Sequence, residues 1–186
     1  RDALGPDDPI DLFIIVRPRR LWITRLLILR VLRQARQEGL IACPAYIATT
    51  RTPEIEPRSV ATAWELAHLA VVIGENVSRT VRRSNDWIFE WLPNASIVGN
   101  PEHHVAYEPS SKQKWTESLL LLPPFRIIEN WTRHRQIAHL LKATRKRDTS
   151  RPGELSDRFS TEICDERLGL QAALTERAWN AATNNP

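Results

Sequence analysis

Residues 10–49 read IDLFIIVRPRRLWITRLLILRVLRQARQEGLIACPAYIAT, and the sequence pattern changes twice along this segment. Ile10–Val16 is a β-branched and aromatic run bounded by a proline, which predicts a strand. Leu21–Gln37 repeats apolar residues at helical spacing, and Gly39 follows it as a helix stop. Leu40–Thr49 is again apolar and β-prone. The predicted order of strand, helix and strand is typical of the α/β class.

The rest of the chain predicts more helices and one further strand. Helical spacing extends over Ala61–Arg82, where Gly74 is a break that can divide the helix in two. Trp87–Leu92 is an aromatic run ended by a proline, and we expect a strand there. Phe125–Arg147 predicts an amphipathic basic helix, and Phe159–Ala182 predicts a last helix.

Charge and hydropathy narrow the class of protein. The 186 residues include 26 Lys and Arg against 22 Asp and Glu, a formal net charge of +4, and most of the basic residues are arginine. Arginine binds phosphate in a bidentate manner, so this composition favours anionic partners. No apolar run reaches the roughly 18 residues that a membrane span needs. We expect no membrane span, and an intracellular location (cytoplasm or nucleus) rather than secretion.

A motif near the middle of the chain adds a family resemblance. Trp91 and Pro93 are followed by Gly99 and Asn100. In these residues the chain resembles the ribonuclease H domain of LINE-type retrotransposon polyproteins, where a strand ends in Trp-x-Pro-Gly-His and a Gly-Asn turn follows. The resemblance implies a ribonuclease H-like mixed sheet with flanking helices over residues 1–111. Residues 112–186 would then form a basic α-helical tail.

The same resemblance implies that the domain is catalytically inactive. Ile10–Val16, Leu40–Thr49 and Trp87–Leu92 would correspond to three strands of the family's sheet. The family's reaction needs four clustered carboxylates that hold two Mg²⁺ ions. This chain has Thr49 and His104 at two of the expected carboxylate positions. We therefore expect no catalytic residue, no metal site and no cofactor, with Mg²⁺ implied only if the resemblance proves catalytic.

Basic residues and one interleaved tryptophan are the candidate binding residues. A basic helix can follow phosphates without choosing a sequence, and an aromatic side chain among cations suits single strands. Trp131 is expected to lie in the apolar stripe of its helix. Arginines also run along Leu21–Gln37, but they are not among the candidate binding residues. The expected partner is RNA or an RNA–DNA hybrid. The candidate residues are Arg79, Arg82, Arg83, Lys112, Lys114, Trp115, Arg133, Arg135, Lys142, Arg145, Lys146 and Arg147.

The sequence thus favours a non-catalytic nucleic-acid-binding or scaffolding domain derived from a retroelement ribonuclease H, and two alternatives stay open. One is a secreted or viral glycoprotein interaction domain. It would have a Cys43–Cys164 disulfide and glycans on the Asn-x-Ser/Thr residues Asn76, Asn94 and Asn130. The other is an RNA-binding structural subunit of a nucleoprotein assembly.

Overall fold

The strand, helix and strand predicted from residues 10–49 are present in the computed structural model of the protein. The structure describes residues 10–95, 110–111, 123–144, 158–167, 177 and 179–182. β1 spans Ile10–Val16 and α1 spans Leu21–Gln37, both as predicted, while β2 spans Ala42–Thr49 and begins two residues later than expected. β1 and β2 pair in parallel, and the helix supplies the crossover that parallel neighbours need.

Two compact units divide the described residues. The sheet unit comprises residues 10–51, 123–144 and 158–167, and the helical unit comprises residues 52–95, 110–111, 177 and 179–182. This division differs from the boundary predicted after residue 111, because residues 123–144 and 158–167 group with residues 10–51. The fold of the chain is mixed α/β, with a three-stranded mixed sheet.

The end of α1 shows why the local prediction was confirmed. Gly39 has a φ of 90°, a left-handed conformation that glycine adopts without steric cost. Its N–H donates to the Arg36 carbonyl at 3.2 Å, and the Leu40 N–H donates to the Ala35 carbonyl at 3.1 Å. These are the two hydrogen bonds of a Schellman motif. The chain therefore turns directly from α1 into β2.

The third strand and a long helix complete the sheet unit. β3, Ile163–Asp165, pairs antiparallel with β2 and places Cys164 opposite Ile47. The long helix, numbered α5 here, spans Pro123–Thr144. The strand order is β1-β2-β3. The apolar core of the unit consists of Leu21, Trp22, Ile47, Leu140, Phe159 and Cys164, with Ile14, Val16, Ile137 and Leu141 packed against it.

A buried carboxylate joins α5 to the first turn of α1. The Trp22 N–H donates to Glu129 Oε1 at 2.9 Å, and the Ile23 N–H donates to Glu129 Oε2 at 2.8 Å. The first four N–H groups of a helix have no partner within the helix, and a negative charge near them is favourable. Glu129 thus supplies the cap that Arg20, the residue before the helix, does not provide by a side-chain bond.

A buried arginine adds a second connection between the same elements. Arg25 is 6% exposed, and its guanidinium binds Glu166 at 2.7 Å and the Gln136 side-chain oxygen at 2.6 Å. The Gln136 amide in turn donates to the Trp22 carbonyl at 2.8 Å. A buried cation must be paired to be tolerated. This network therefore fixes how α1, α5 and the residue after β3 pack.

Residues 52–95 of the helical unit form three short helices, and a buried amide lies between the second and the third. α2 spans Val60–Ala67, α3 spans Glu75–Ser84 and α4 spans Ile88–Trp91. The predicted Ala61–Arg82 helix is thus divided, and Gly74 lies at the start of α3 with a φ of 89°. The Asn85 oxygen accepts from the Ile55 N–H and the Trp87 indole, and its nitrogen donates to the Pro53 and Val81 carbonyls.

Two predicted elements are wrong. Trp87–Leu92 is helical rather than a strand: Glu90 donates to the Trp87 carbonyl, and Leu92 to the Ile88 carbonyl. The neighbours Trp87 and Ile88 are both buried, which the alternation of a half-exposed strand does not allow. The predicted Phe159–Ala182 helix is wrong in its first part, where Ile163–Asp165 forms β3 by pairing with β2, whereas residues 177 and 179–182 are helical. Among the helices described, none is long and apolar enough to cross a membrane.

We expect Glu129→Ala to lower the free energy of unfolding by about 2–4 kcal/mol, since two buried N–H donors lose their acceptor and the helix loses a capping charge. Chemical denaturation followed by circular dichroism measures the change. Glu38→Ala is the matched control, because Glu38 is exposed at the opposite end of α1. A loss of less than 1 kcal/mol in the Glu129 variant, or an equal loss in both, would contradict the assigned role.

Candidate functional site

Positive charge is concentrated in the sheet unit. Its described residues include 14 Arg and Lys but only six Asp and Glu, a net charge of +8, whereas the whole chain carries +4. Residues 52–95 of the helical unit carry four basic and six acidic residues, a net charge of −2. A field of one sign over a surface attracts polyanions from solution. The sheet unit is therefore the stronger candidate for a surface that binds polyanions.

The outward side of α1 carries three arginines. Arg30, Arg33 and Arg36 are exposed, and they span about 9 Å along the helix axis. No Asp or Glu occurs within α1, and Glu38 follows its end. Within the part of the chain that the structure describes, none of the three arginines has a carboxylate within 4 Å. Their guanidinium groups are available to an external anion.

The outward side of α5 combines apolar and basic side chains. Ile127, Trp131, Arg135 and Lys142 recur at helical spacing, so they lie along one face. Ile127 is 73% exposed and Trp131 is 57% exposed. The Arg135 guanidinium lies 4.9 Å from the centre of the Trp131 ring, within cation–π range. These four residues are called the α5 stripe below.

Glu129 is the one acidic residue of α5, and it does not lie on the stripe. It is buried, and both of its oxygens accept from the first turn of α1. The exposed ionisable side chains of α5 are therefore cations, with histidines beside them. A phosphate that approaches this side of the helix meets no carboxylate of α5.

Three of the sequence-predicted residues lie on α5, but they do not share one face of the helix. Arg135 and Lys142 are exposed on the stripe, whereas Arg133 is half-buried and lies two residues away from Arg135, toward the opposite side of the helix. Trp131 was assigned to the apolar stripe of its helix by sequence and is exposed instead. Trp131 and Arg135 are four residues apart, and this spacing could have identified Trp131 as a candidate binding residue on the same face as Arg135.

The predicted residues of α3 are in a different setting. Arg79 binds Glu75 at 2.8 Å on the surface, Arg82 is half-buried and Arg83 is exposed. Arg82 and Arg83 lie in the last turn of α3, where cations also offset the helix dipole. Because residues 52–95 are net acidic, this group is a weaker candidate than the sheet unit. The remaining predicted residues, which are Lys112, Lys114, Trp115, Arg145, Lys146 and Arg147, lie outside the described residues.

Four of the six described carboxylates of the sheet unit, including Glu129 and Glu166, bind other groups of the fold. Asp165 binds Arg167 through two contacts of 2.9 and 2.8 Å, and Glu162 accepts a hydrogen bond from the Thr49 hydroxyl. Across the described ranges, no group of three or more His, Cys, Asp or Glu side chains could hold a metal ion. Thr49 is buried, and His104 lies outside the described residues. The expectation of an inactive domain stays a prediction.

Both cysteines are free, so the Cys43–Cys164 disulfide is not formed. Cys164 lies opposite Ile47 of β2, and Cys43 is four residues earlier on that strand, about 13 Å away at 3.3 Å per residue. A disulfide needs Cα atoms within about 7 Å. Burial raises the pKa of the Cys164 thiol to about 12, whereas Cys43 is exposed. The glycan acceptors Asn76, Asn94 and Asn130 are exposed, and their modification stays a prediction.

No protein-family model, curated protein or solved structure matches this chain. The candidate surface is therefore defined by its own geometry and charge. Its features are the three exposed arginines of α1 and the α5 stripe, on a unit whose carboxylates are largely engaged internally.

In the native protein we expect a thiol-specific alkylating agent to label Cys43 and not Cys164, because only a thiolate reacts and Cys164 stays protonated in the core. Mass spectrometry at pH 7.5 should find one label on the native chain and two after unfolding in guanidinium chloride. Cys43→Ser is the control, and it should leave no native label. If the unfolded chain takes up no label in guanidinium chloride without a reductant, the two cysteines form a disulfide and the assignment of two free thiols is wrong.

Proposed function

We propose that the sheet unit binds nucleic acid, without catalysis, through the phosphate contacts of its basic helices. The observation that supports this most directly is the set of exposed arginines on α1, which have no carboxylate partner among the described residues. Arginine presents a planar fork of donors that matches phosphate oxygens. The cations of the α5 stripe extend the same chemistry to a second helix.

The expected binding is sequence-independent and modest in affinity. Contacts to phosphate position a protein on nucleic acid without reading bases. On duplex DNA, each neutralised phosphate steepens the slope of log affinity against log salt by about 0.9. The Kd of such non-specific binding is typically of order 10⁻⁴ to 10⁻⁶ M at physiological salt. Five cations, three on α1 and two on α5, would give a steep dependence on salt. Measurements therefore belong at low ionic strength.

The ribonuclease H ancestry is a separate proposal with less support. It has in its favour the motif Trp91, Pro93, Gly99 and Asn100 and the mixed α/β fold. Against it, Trp87–Leu92 is helical, although the resemblance needs a strand there. Phosphate binding by the sheet unit does not depend on this ancestry. RNA and RNA–DNA hybrids are both suitable partners, because the contacts are made to phosphates.

We expect the triple variant Arg30→Gln, Arg33→Gln and Arg36→Gln to bind a labelled RNA duplex or RNA–DNA hybrid more weakly than the unchanged protein. The slope of log affinity against log salt should shrink by about 0.9 for each arginine that contacts a phosphate, hence by about 2.7 if all three do so. Glutamine is a good helix former, so α1 should persist. Fluorescence anisotropy between 20 and 200 mM salt measures both quantities.

The matched control is the triple variant Arg79→Gln, Arg82→Gln and Arg83→Gln, which removes the same charge from α3. We expect it to change the salt slope by less than half as much as the α1 variant does. Equal effects of the two variants would show that only net charge matters. An unchanged slope in the α1 variant, with its circular dichroism spectrum intact, would remove α1 from the interface.

A further inference from the structure

Trp131 is exposed on a helix that has a well-packed opposite side. The inward face of α5 places Leu140 in the core, with Ile137 and Leu141 packed against that core. Trp131 contributes nothing to this cluster and leaves more than half of its surface in water. Ile127, one turn before it, is more exposed still. Contiguous exposed apolar side chains usually mark a surface that binds something.

The chemistry around Trp131 restricts what can bind there. Arg135 lies over the indole ring, and Lys142 lies about 16 Å beyond Trp131 on the same face, at 1.5 Å per residue. An aromatic ring followed by cations is what single-stranded nucleic acid requires, since bases stack on the ring and phosphates contact the cations. Arg135 can contact both, because a guanidinium stacks through its plane and donates through its edge.

A second copy of the chain fits this stripe poorly. In a symmetric pair the same surface patch of each copy meets its equivalent. Arg135 and Lys142 of one copy would then face cations of the other, and α5 has no exposed carboxylate to offset them. Charge complementarity therefore selects an anionic occupant. Among anionic occupants, Trp131 favours one that also presents flat aromatic surfaces. The bases of a nucleic acid present such surfaces, whereas acidic peptides generally do not.

We propose that Trp131 and Arg135 form a stacking platform that makes the sheet unit prefer unpaired over paired nucleic acid. This inference rests on the phosphate binding proposed above and adds the selection of unpaired bases to it. Bases inside a duplex are stacked on each other and present only their edges in the grooves, whereas splayed bases of a single strand present their faces. A tryptophan on the outer face of a helix can therefore stack on the bases of a single strand, whereas stacking on a paired base would require the duplex to be unstacked.

The test compares single-stranded and duplex RNA of equal length at low salt, with the full chain. We expect Trp131→Ala to weaken single-strand binding by about 5- to 150-fold, which corresponds to about 1–3 kcal/mol per stacked base. Duplex binding should change by less than about twofold, since its contacts are to phosphate. Trp131→Phe should keep most of the single-strand affinity, because a phenyl ring still stacks.

The control is Trp64→Ala. Trp64 is an exposed tryptophan of α2 in the helical unit, and its ring lies 3.9 Å from that of His68. This variant should bind both RNA forms as the unchanged protein does. Tryptophan fluorescence gives a second readout. A single strand that stacks on Trp131 should quench the emission of that residue in the unchanged protein, and this part of the quenching should be absent in Trp131→Phe. Both readouts can be collected in one titration.

The outcomes separate the two proposals. Equal losses for single-stranded and duplex RNA in Trp131→Ala, or no loss at all, would overturn the platform while phosphate binding stands. Failure of both RNA forms to bind at 20 mM salt would overturn both proposals. If a polyglutamate peptide displaces the single strand and Trp131→Ala abolishes its binding too, then the α5 stripe binds acidic protein segments and the base selection is wrong.

Discussion

The capping of α1 by Glu129 is the interaction on which the sheet unit depends. Its two carboxylate oxygens accept from the backbone N–H groups of Trp22 and Ile23, so one side chain satisfies two donors that a helix start leaves open. The same contact fixes α5 against α1 and turns the only acid of α5 inward. The structural requirement for a buried cap therefore also leaves the outer face of α5 to cations and apolar groups.

Contacts between distant parts of the sequence explain why the division of the chain was not predicted. Trp22 and Glu129 are 107 residues apart, and Arg25 and Glu166 are 141 residues apart. No local pattern links such pairs, so residues beyond 112 read as a separate helical tail. In the structure, residues 123–144 supply α5 and residues 163–165 supply β3 to the unit that contains β1, α1 and β2. A three-residue strand such as β3 exists because β2 offers it hydrogen bonds, not because its own sequence demands it.

Elements that depend on local physics were predicted correctly. β1, α1 and the Gly39 stop follow from side-chain periodicity and a left-handed glycine, and the left-handed Gly74 directly precedes α3 within the predicted Ala61–Arg82 helix. Trp87–Leu92 was wrong because the amide of Asn85 holds the chain in a turn just before it. For the binding surface, sequence selected Arg135 and Lys142 but placed Trp131 in an apolar stripe. Periodicity shows which residues share a face of α5; it does not show which face the core covers.

The arrangement of charge within the sheet unit leaves the outward arginines of α1, Arg30, Arg33 and Arg36, available to bind phosphate. Of its six described acids, Glu162, Asp165 and Glu166 pair with arginines, and Glu129 caps α1. Among the described residues, no carboxylate lies within 4 Å of the outward arginines of α1 or of the cations of α5. Their counterions must then come from the solution, and a phosphate backbone that displaces such ions gains the entropy of their release. An acidic residue between the exposed cations of α1 or α5 would reduce this gain, so the engagement of Glu129, Asp165 and Glu166 within the fold suits the unit to a polyanion.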